Sequence, residues 1–159
     1  MSNLDNSEYV LEELKPEDAE RCAEVLFKSL KGTLPPAIKG KEGILRMIWG
    51  PMKVSVVAKK DDEIAGIITG TASLPPSIVF IHVLSKEASI AGLEKMLLDH
   101  FSKVIKEKVP GASYLTTSVP ADERFFISFY LNLGFTIHGF VREGYLGKDV
   151  VMLRRSIEV

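Results

Sequence analysis

The apolar positions of the chain follow two different periods, and the change from one to the other marks its central segment. Residues 78–84 form a run of β-branched and other apolar residues, interrupted only by His82, which is typical of a strand covered on both faces. Further on, apolar residues recur three or four positions apart, as they do on one face of a helix. These residues are Ile90, Leu93, Leu97, Phe101, Val104 and Ile105. The pattern therefore predicts a buried strand followed by a long helix from about Ser89 to Lys108.

Period-two and helical patterns divide the rest of the chain into further elements, which are separated by Gly and Pro turns. The other predicted strands cover residues 9–14, 54–59, 64–72, 113–119, 135–145 and 149–157. The other predicted helices cover residues 16–31, 41–49 and 120–133. The order βααβββαβαββ predicts an α/β (α+β) protein in which helices pack on a mixed sheet, with residues 1–8 as a tail and residues 9–159 as a single domain.

Composition and charge exclude several classes of protein. The chain has 159 residues and a formal net charge of −1, which gives no reason to expect general binding to nucleic acid or to an anionic membrane. No apolar run reaches the roughly 18–20 residues needed to cross a bilayer, and the polar, acidic start does not resemble a secretory signal. The only cysteine, Cys22, lies at helical spacing from Ala19 and Leu26, so we expect a buried thiol and a cytoplasmic protein.

Three common catalytic motifs are also missing from the sequence. The histidines His82, His100 and His138 do not form an H-E-x-x-H zinc motif. Gly40 and Lys41 are followed by Glu42, which excludes a phosphate-binding P-loop, and no G-x-S-x-G elbow is present. We therefore expect neither a metal ion nor a serine nucleophile.

The connection between the central strand and the long helix is rich in small residues. Ser89, Ala91 and Gly92 leave the amides of the first helical turn uncrowded. These amides lack partners within the helix, and the helix dipole favours negative charge beside them. The pattern is typical of a phosphate-binding turn, but this stretch alone favours an ordinary strand–helix connection with Ser89 as the N-cap.

The element order and one segment of the predicted fourth helix resemble the GNAT superfamily of acyl-CoA-dependent N-acetyltransferases. Residues 129–135 read F-Y-L-N-L-G-F, which is similar to the family's F-Y-x-x-x-G-F signature, and two predicted strands follow. The resemblance extends over nearly the whole chain, from about Tyr9 to Ile157. It implies a mixed, mostly antiparallel central sheet flanked by about four helices.

The resemblance also implies acetyl-CoA as the acyl donor, held without a metal ion. On the family's Arg/Gln-x-x-Gly-x-Gly/Ala loop, the chain keeps the middle glycine as Gly92. It has Ser89 in place of Arg or Gln and Glu94 in place of the last small residue, so we expect weaker binding of the pyrophosphate. By resemblance, the residues that contact the donor are Val83, Leu84, Ser85, Ser89, Ile90, Ala91, Gly92, Leu93, Glu94 and Phe129.

Two residues are candidates for proton transfer. By resemblance, Tyr130 lies beside the thioester sulfur, and its phenol pKa near 10 is compatible with proton donation to a leaving thiolate; alternatively, it is a packed aromatic among Phe125, Phe126 and Phe129. His82 lies on the central strand, and its imidazole pKa near 6.5 suits a general base. The alternative for His82 is a buried, hydrogen-bonded structural histidine.

The acceptor site of the family lies between the first two helices and the last two strands. Here Met47, Trp49 and Met52 are candidates to line it, and Glu42, Glu143 and Asp149 are candidates to attract a cationic amine, although residues of these types are more often part of the core or of the solvated surface. Tyr145, at the last hairpin, is a weak hint of a peptide acceptor. Many relatives pair as dimers, so a homodimer is a possible assembly.

The sequence therefore favours an N-acetyltransferase that acts on a primary amine of a small molecule or a peptide. The alternative function is a non-catalytic CoA-binding, sensor or scaffold module of the same fold. A different acyl donor is a third alternative, because the volume of the pocket sets donor choice.

Overall fold

The computed structural model describes residues 9–30, 40–72, 78–85 and 92–158, without the side chains of residues 29, 30 and 78–85. Its elements follow the predicted order. They are β1 (Val10–Glu13), α1 (Pro16–Leu30), α2 (Gly40–Ile48), β2 (Lys53–Lys60), β3 (Glu63–Ala72), β4 (Ile78–Ser85), α3 (Leu93–Lys108), β5 (Tyr114–Pro120), α4 (Arg124–Asn132), β6 (Thr136–Tyr145) and β7 (Lys148–Ser156). None of the described helices is both long and apolar enough to cross a bilayer.

The seven strands form one sheet in the order β1-β2-β3-β4-β5-β7-β6. All neighbouring strands are antiparallel except β4 and β5, which run parallel. A parallel pair needs a crossover connection, and α3 lies between these two strands in the chain. The predicted mixed, mostly antiparallel sheet with four helices is confirmed.

The helices cover both faces of the sheet. On the α2 face, α1 and α2 pack on alternate residues of β2 and β3, including Val57 and Ile67. On the opposite α3 face, α3 and α4 pack on residues that include Val56, Ile68 and Leu115. The predicted apolar stripe of α3 is confirmed from Leu93 to Ile105, because these positions are buried in that core: Leu93, Leu97, Phe101, Val104 and Ile105. The sixth predicted position, Ile90, lies outside the described residues.

The single cysteine is buried, as the helical spacing predicted. Cys22 is fully inaccessible and lies in the core on the α2 face. Burial raises the pKa of its thiol to about 12. Because the thiolate is the reactive form, Cys22 is a poor nucleophile in the folded protein.

The long helix begins later than the sequence predicted. Gly92 has a φ of 102° and a ψ of −12°, in the left-handed region, and α3 starts at Leu93. A residue in this conformation interrupts a right-handed helix, and glycine adopts it without steric cost. The predicted helix included Gly92, and this part of the prediction is wrong because Gly92 precedes the helix. The other predicted residues at its start, Ser89, Ile90 and Ala91, lie outside the described residues.

A partly buried lysine joins three elements on the side of the molecule away from β5. The ammonium of Lys59, on β2, lies 2.6 Å from a carboxylate oxygen of Glu12 on β1 and 2.6 Å from one of Asp18 in α1. Hydrogen bonds from Lys59 lower the pKa of both carboxyl groups, and the two carboxylates raise the pKa of Lys59. All three groups are therefore charged over a wide range around neutral pH.

Candidate active site

The two parallel strands at the centre of the sheet separate after a short contact. Within the described backbone, β4 and β5 pair only from Ile78 to Phe80 and from Tyr114 to Thr116. Beyond this point β4 continues along β3 as far as Ser85, and β5 continues along β7 as far as Pro120. The two strands therefore diverge, and between them they leave a cleft that we call the split.

The part of β4 that the family resemblance assigned to the acyl donor lies beside the split. His82, Val83, Leu84 and Ser85 all lie on β4 beyond its last pair with β5. Backbone amides that point toward an absent neighbouring strand are free to donate to another group. The position of these residues agrees with their predicted role, which stays a prediction because no bound molecule tests it.

Tyr130 is buried in the core on the α3 face of the sheet. It is on α4, where only 8% of its surface is accessible, and its ring packs edge-on against Phe129 and Phe135 at centroid distances of 5.4 and 5.2 Å. Gly134, with a φ of 89°, lets the chain turn directly after α4, and the amide of Phe135 donates to the carbonyl of Tyr130 at 3.1 Å. The spacing of the F-Y-x-x-x-G-F segment thus fixes the position of the phenol.

The phenol of Tyr130 is neutral and has one polar partner on β5. Burial raises the pKa of Tyr130, and a hydrogen bond with the side chain of Thr117 partly opposes that effect. The phenol therefore keeps its proton throughout the neutral range. Tyr130 is therefore packed as a core aromatic, and its protonation state is also the one that a general acid needs.

Thr117 was not among the residues that the sequence singled out. It is 3% exposed and lies between buried Leu115 and Val119 on the α3 face of β5. Thr117 is the only polar residue among the three buried positions of β5. A polar residue within this apolar alternation was the sequence feature that could have pointed to it.

The register of β4 assigns backbone position 82 to the opposite face of the sheet. In the register of β3 and β4 it lies directly across from Thr69, and Thr69 lies across from Ser55 on β2. Directly opposed residues of an antiparallel pair share a face, and Ser55 faces α2, because its hydroxyl bonds the carbonyl of Ile48 at 2.7 Å. Position 82 is therefore on the α2 face, whereas Tyr130 packs against the α3 face.

Two buried hydroxyls continue this polar row from position 82 into the α2 face. Ser55 and Thr69 are 4% and 2% exposed, and their oxygens lie 2.7 Å apart. The Ser55 hydroxyl lies within donating distance of both the carbonyl of Ile48 and the hydroxyl of Thr69, and with one proton it donates to one of them at a time, while the Thr69 hydroxyl faces the carbonyl of Val54 at 3.5 Å.

The start of α3 offers a second set of backbone donors beyond the end of β4. The first helical hydrogen bond runs from the amide of Met96 to the carbonyl of Gly92 at 3.0 Å. The amides of Leu93 and Glu94 precede it, and in this position amides have no partner within the helix. Glu94 is half-buried in this first turn, so it brings a negative charge to the turn whose amides would receive an anion.

Comparison with known proteins adds solved structures but no sequence relatives. No protein-family model and no curated protein matches the sequence. A GNAT-family acetyltransferase from Streptococcus pneumoniae is similar in structure, with a TM-score of 0.72 and 19% identity over 94% of this chain and 99% of that one. The chain has the GNAT fold.

Two further structures with the GNAT fold have named activities. An aminoglycoside 6'-N-acetyltransferase complexed with coenzyme A matches at a TM-score of 0.72 and 15% identity, over 94% of this chain and 98% of that one. The ribosomal-protein-S18-alanine N-acetyltransferase from Escherichia coli matches at 0.70 and 16%, over 95% of each chain. These similarities confirm the GNAT fold that the sequence resemblance implied.

The candidate acceptor residues lie at two ends of the GNAT fold. Trp49 and Met52, in the turn between α2 and β2, are 42% and 49% exposed, whereas Met47 packs against the core on the α2 face. Glu42 is exposed in the first turn of α2. Packing thus accounts for Met47, while Trp49 and Met52 keep free apolar surface.

The remaining acceptor candidates lie in the β6–β7 hairpin. The amide of Glu143 donates to a carboxylate oxygen of Asp149 at 3.0 Å, so Asp149 has a structural partner. Tyr145 is 45% exposed nearby. Among the described residues, no cluster of three His, Cys, Asp or Glu side chains has a geometry that would hold a metal ion.

Removing the charge of Glu94 should strengthen donor binding. We expect Glu94→Gln to lower the Kd for acetyl-CoA about two- to fivefold at low salt, since one carboxylate near a helix N-terminal anion contributes of order 0.3–1 kcal/mol. Titration calorimetry measures this directly. Glu107→Gln, an exposed change near the other end of α3, is the matched control and should leave the Kd unchanged. An unaltered Kd for Glu94→Gln would mean that its carboxylate points away from the bound anion.

Proposed function

We propose that this protein is an N-acetyltransferase that moves the acetyl group of acetyl-CoA to a primary amine. The observation that carries the proposal is the divergence of β4 and β5 beside a buried, neutral tyrosine. The proteins of similar structure include enzymes named for transfer to an aminoglycoside amine and to the alanine of a ribosomal protein. Both enzyme names specify an amine as the acetyl acceptor, which supports an amine acceptor for this protein as well.

The residues of the chain suit this donor. Acetyl-CoA supplies a thioester carbonyl that an amine can attack. Successive amides of a strand point to opposite sides, so among Val83, Leu84 and Ser85 those whose amides face away from β3 would donate to pantetheine and to the carbonyl oxygen as negative charge develops on it. The amides of Leu93 and Glu94, at the N-terminus of α3, would hold the pyrophosphate. Glu94 opposes this binding through its charge and Ser89 lacks the usual long donor, so the affinity should be modest.

Proton transfers are assigned to the two faces of the split. Tyr130 gives its phenol proton to the sulfur as the carbon–sulfur bond breaks, which completes the departure of CoA as a thiol. The attacking nitrogen forms the new bond to the carbonyl carbon and loses a proton on the α2 face, where His82 or water accepts it. In this assignment the acid and the base would act from opposite faces of the sheet.

A titration with acetyl-CoA tests the first part of the proposal. We expect binding in the micromolar range by calorimetry, retained for desulfo-CoA and absent for ATP. The second part is tested with a panel of amines and detection of released CoA by a thiol reagent. Buried Cys22 should contribute little background in that assay. Absence of binding by the folded protein would contradict the proposal.

The second candidate function is a non-catalytic module of the same fold. The departures at Ser89 and Glu94 from the family loop favour it. Binding of acetyl-CoA without release of CoA over the whole amine panel would establish that alternative. Release of CoA from propionyl-CoA or a longer acyl-CoA in preference to acetyl-CoA would instead show that the acyl donor is not acetyl-CoA.

The chain has a single cysteine, and proteins without disulfides are typical of the cytoplasm, which supports a cytoplasmic site of action.

A further inference from the structure

The last strand of the sheet is exposed on both of its faces. β6 ends the strand order and pairs only with β7 in the described sheet. Nine of its ten residues are exposed, and the tenth, Gly139, is half-buried. β2, β3 and β5, by contrast, each bury several residues under helices. The described helices therefore leave both faces of β6 largely uncovered.

The helix before β6 also carries apolar side chains that the core does not cover. Residues 133–135 join α4 to β6, and the rings of Tyr130 and Phe135 pack at 5.2 Å, which holds the end of α4 beside the start of β6. Phe125 and Phe126 are 75% and 50% exposed, and their rings contact each other edge-on at 5.5 Å. α4 therefore adds aromatic surface at the end of the sheet that β6 forms.

Two apolar residues of β6 share the α3 face with α4. Ile137 lies across from Leu153 on β7. Phe140 lies across from Val151, and both β7 residues pack in the core on the α3 face. Directly opposed residues of an antiparallel pair share a face. Together with the exposed apolar residues of α4, these two form what we call the edge patch, which consists of Phe125, Phe126, Leu131, Ile137 and Phe140.

The edge patch lies in a stretch of the chain that has no charged residue. Residues 125–141 contain no Asp, Glu, Lys or Arg, although these four types make up 26% of the protein. Charged side chains protect exposed edge strands against association, and β6 has none before Arg142. They are also depleted at the centre of protein–protein interfaces. An exposed segment of this length without charge is typical of an interface rather than of open surface.

We propose that the edge patch is the interface through which two copies of this protein associate about a two-fold axis. In such an interface the same surface of each copy meets itself. A surface without charge suits this arrangement, because the axis then brings no like charges together. The other edge of the sheet suits it less, since two of the four residues of β1 are Glu12 and Glu13. The register shift between Ile137 and Gly139 bends β6, so side chains rather than a continuous strand ladder should carry the contact.

The area of the edge patch agrees with the size of a stable dimer interface. The five side chains are between 43% and 75% exposed, which leaves about 500 Å² of apolar surface per copy if each side chain has roughly 150–200 Å² in all. Two copies would thus bury about 1,000 Å² of apolar surface, and roughly 60% of an interface is apolar. The whole contact would then bury roughly 1,700 Å², within the roughly 1,200–2,000 Å² of stable protein complexes.

Sedimentation equilibrium of the full chain and of two variants tests the inference. We expect a dimer with a Kd of about 10 µM or lower. Phe140→Lys places one charge from each copy in the interface and should raise this Kd at least about 100-fold. Val10→Lys is the matched control on the other edge of the sheet, because Val10 is 59% exposed and Phe140 is 58% exposed. It should leave the Kd within about twofold of that of the unaltered protein.

A second variant and a second measurement keep the test independent of how Phe140→Lys folds. Phe125→Lys changes the most exposed residue of the edge patch and should weaken the dimer in the same direction. Hydrogen exchange at rising protein concentration should slow at the amides of residues 125–141, since association excludes water from them. The amides of β1 should exchange at the same rate at every concentration.

The possible outcomes decide whether the edge patch joins two copies. A protein that is monomeric at every concentration would overturn the inference. A dimer that neither lysine in the edge patch weakens, or that Val10→Lys weakens as much, has its contact elsewhere and would overturn it as well. The inference does not depend on the proposed acetyl transfer. If the dimer forms through the edge patch but releases no CoA with any amine, the proposed function fails and the interface stands.

Discussion

Replacement of Tyr130 by phenylalanine should lower kcat about 100-fold while changing the KM for acetyl-CoA by less than about twofold. The magnitude is that of losing a general acid from a transition state. Phenylalanine keeps the ring and therefore its edge-on contacts with Phe129 and Phe135. It removes only the oxygen that carries the proton, so the loss should fall on the chemical step rather than on binding.

The measurement is steady-state kinetics of CoA release with the best amine of the panel, together with calorimetry of acetyl-CoA binding. Tyr114→Phe is a matched control, because Tyr114 is also on the sheet, is 37% exposed and stacks under Arg154 away from the split. It should leave kcat unchanged. If Tyr130→Phe turns over at the rate of the control while remaining folded, Tyr130 is a packing residue and water or another group protonates the sulfur.

Replacement of Lys59 by methionine should lower the free energy of unfolding by about 2–3 kcal/mol at neutral pH. Removal of one partner from a buried ion pair typically costs about 3–5 kcal/mol. The effect should be somewhat smaller here because the Glu12 side chain is 23% exposed. Without the lysine, the carboxylates of Glu12 and Asp18 lie close together in a partly desolvated site without their shared cation.

Urea unfolding at several pH values checks this prediction and its sign. The pKa values of Glu12 and Asp18 are lowered in the folded state, so their stabilising contribution is present above the unfolded values near 4 and is lost as pH falls through the folded ones. The deficit of Lys59→Met should therefore shrink in acid. Lys15→Met, which removes a 54% exposed partner of Glu12, is the control and should cost less than about 0.5 kcal/mol. A deficit of equal size at pH 7 and pH 3 would show that the lysine stem, not its charge, stabilises the fold.

The sequence predicted the elements well because most of them bury one face. The apolar stripe of α3 and the alternation in β5 are local patterns, and each reports its own burial. The F-Y-x-x-x-G-F segment likewise placed Tyr130 in a helix that ends before Gly134. The start of α3 was mispredicted because the small residues before it fit a helical turn, whereas the positive φ of Gly92 is a property of the folded backbone.

The arrangement of the candidate site depends on contacts between distant segments, which one sequence does not reveal. The face of the sheet to which position 82 belongs follows from its register with Thr69, 13 positions away in the chain. The split follows from the point at which β4 and β5 stop pairing. The partnership of Thr117 and Tyr130 joins β5 to α4 across a loop. The residue types in the sequence suggested which reaction is feasible. Their arrangement in space depends on the pairing of the strands, which the sequence alone did not predict.

The narrow contact between β4 and β5 also bears on how the molecule opens. Within the described backbone, three register pairs connect two parts of the sheet. The first part contains β1–β4, on which α3 mainly packs, and the second is the contiguous segment of β5, α4, β6 and β7. Cooperative units of this kind open separately in native-state hydrogen exchange. Amides of β5 and β7 should therefore exchange together, through an opening of lower free energy than global unfolding. A molecule bound across both strands would couple the two units, so its presence should merge their exchange into a single cooperative event.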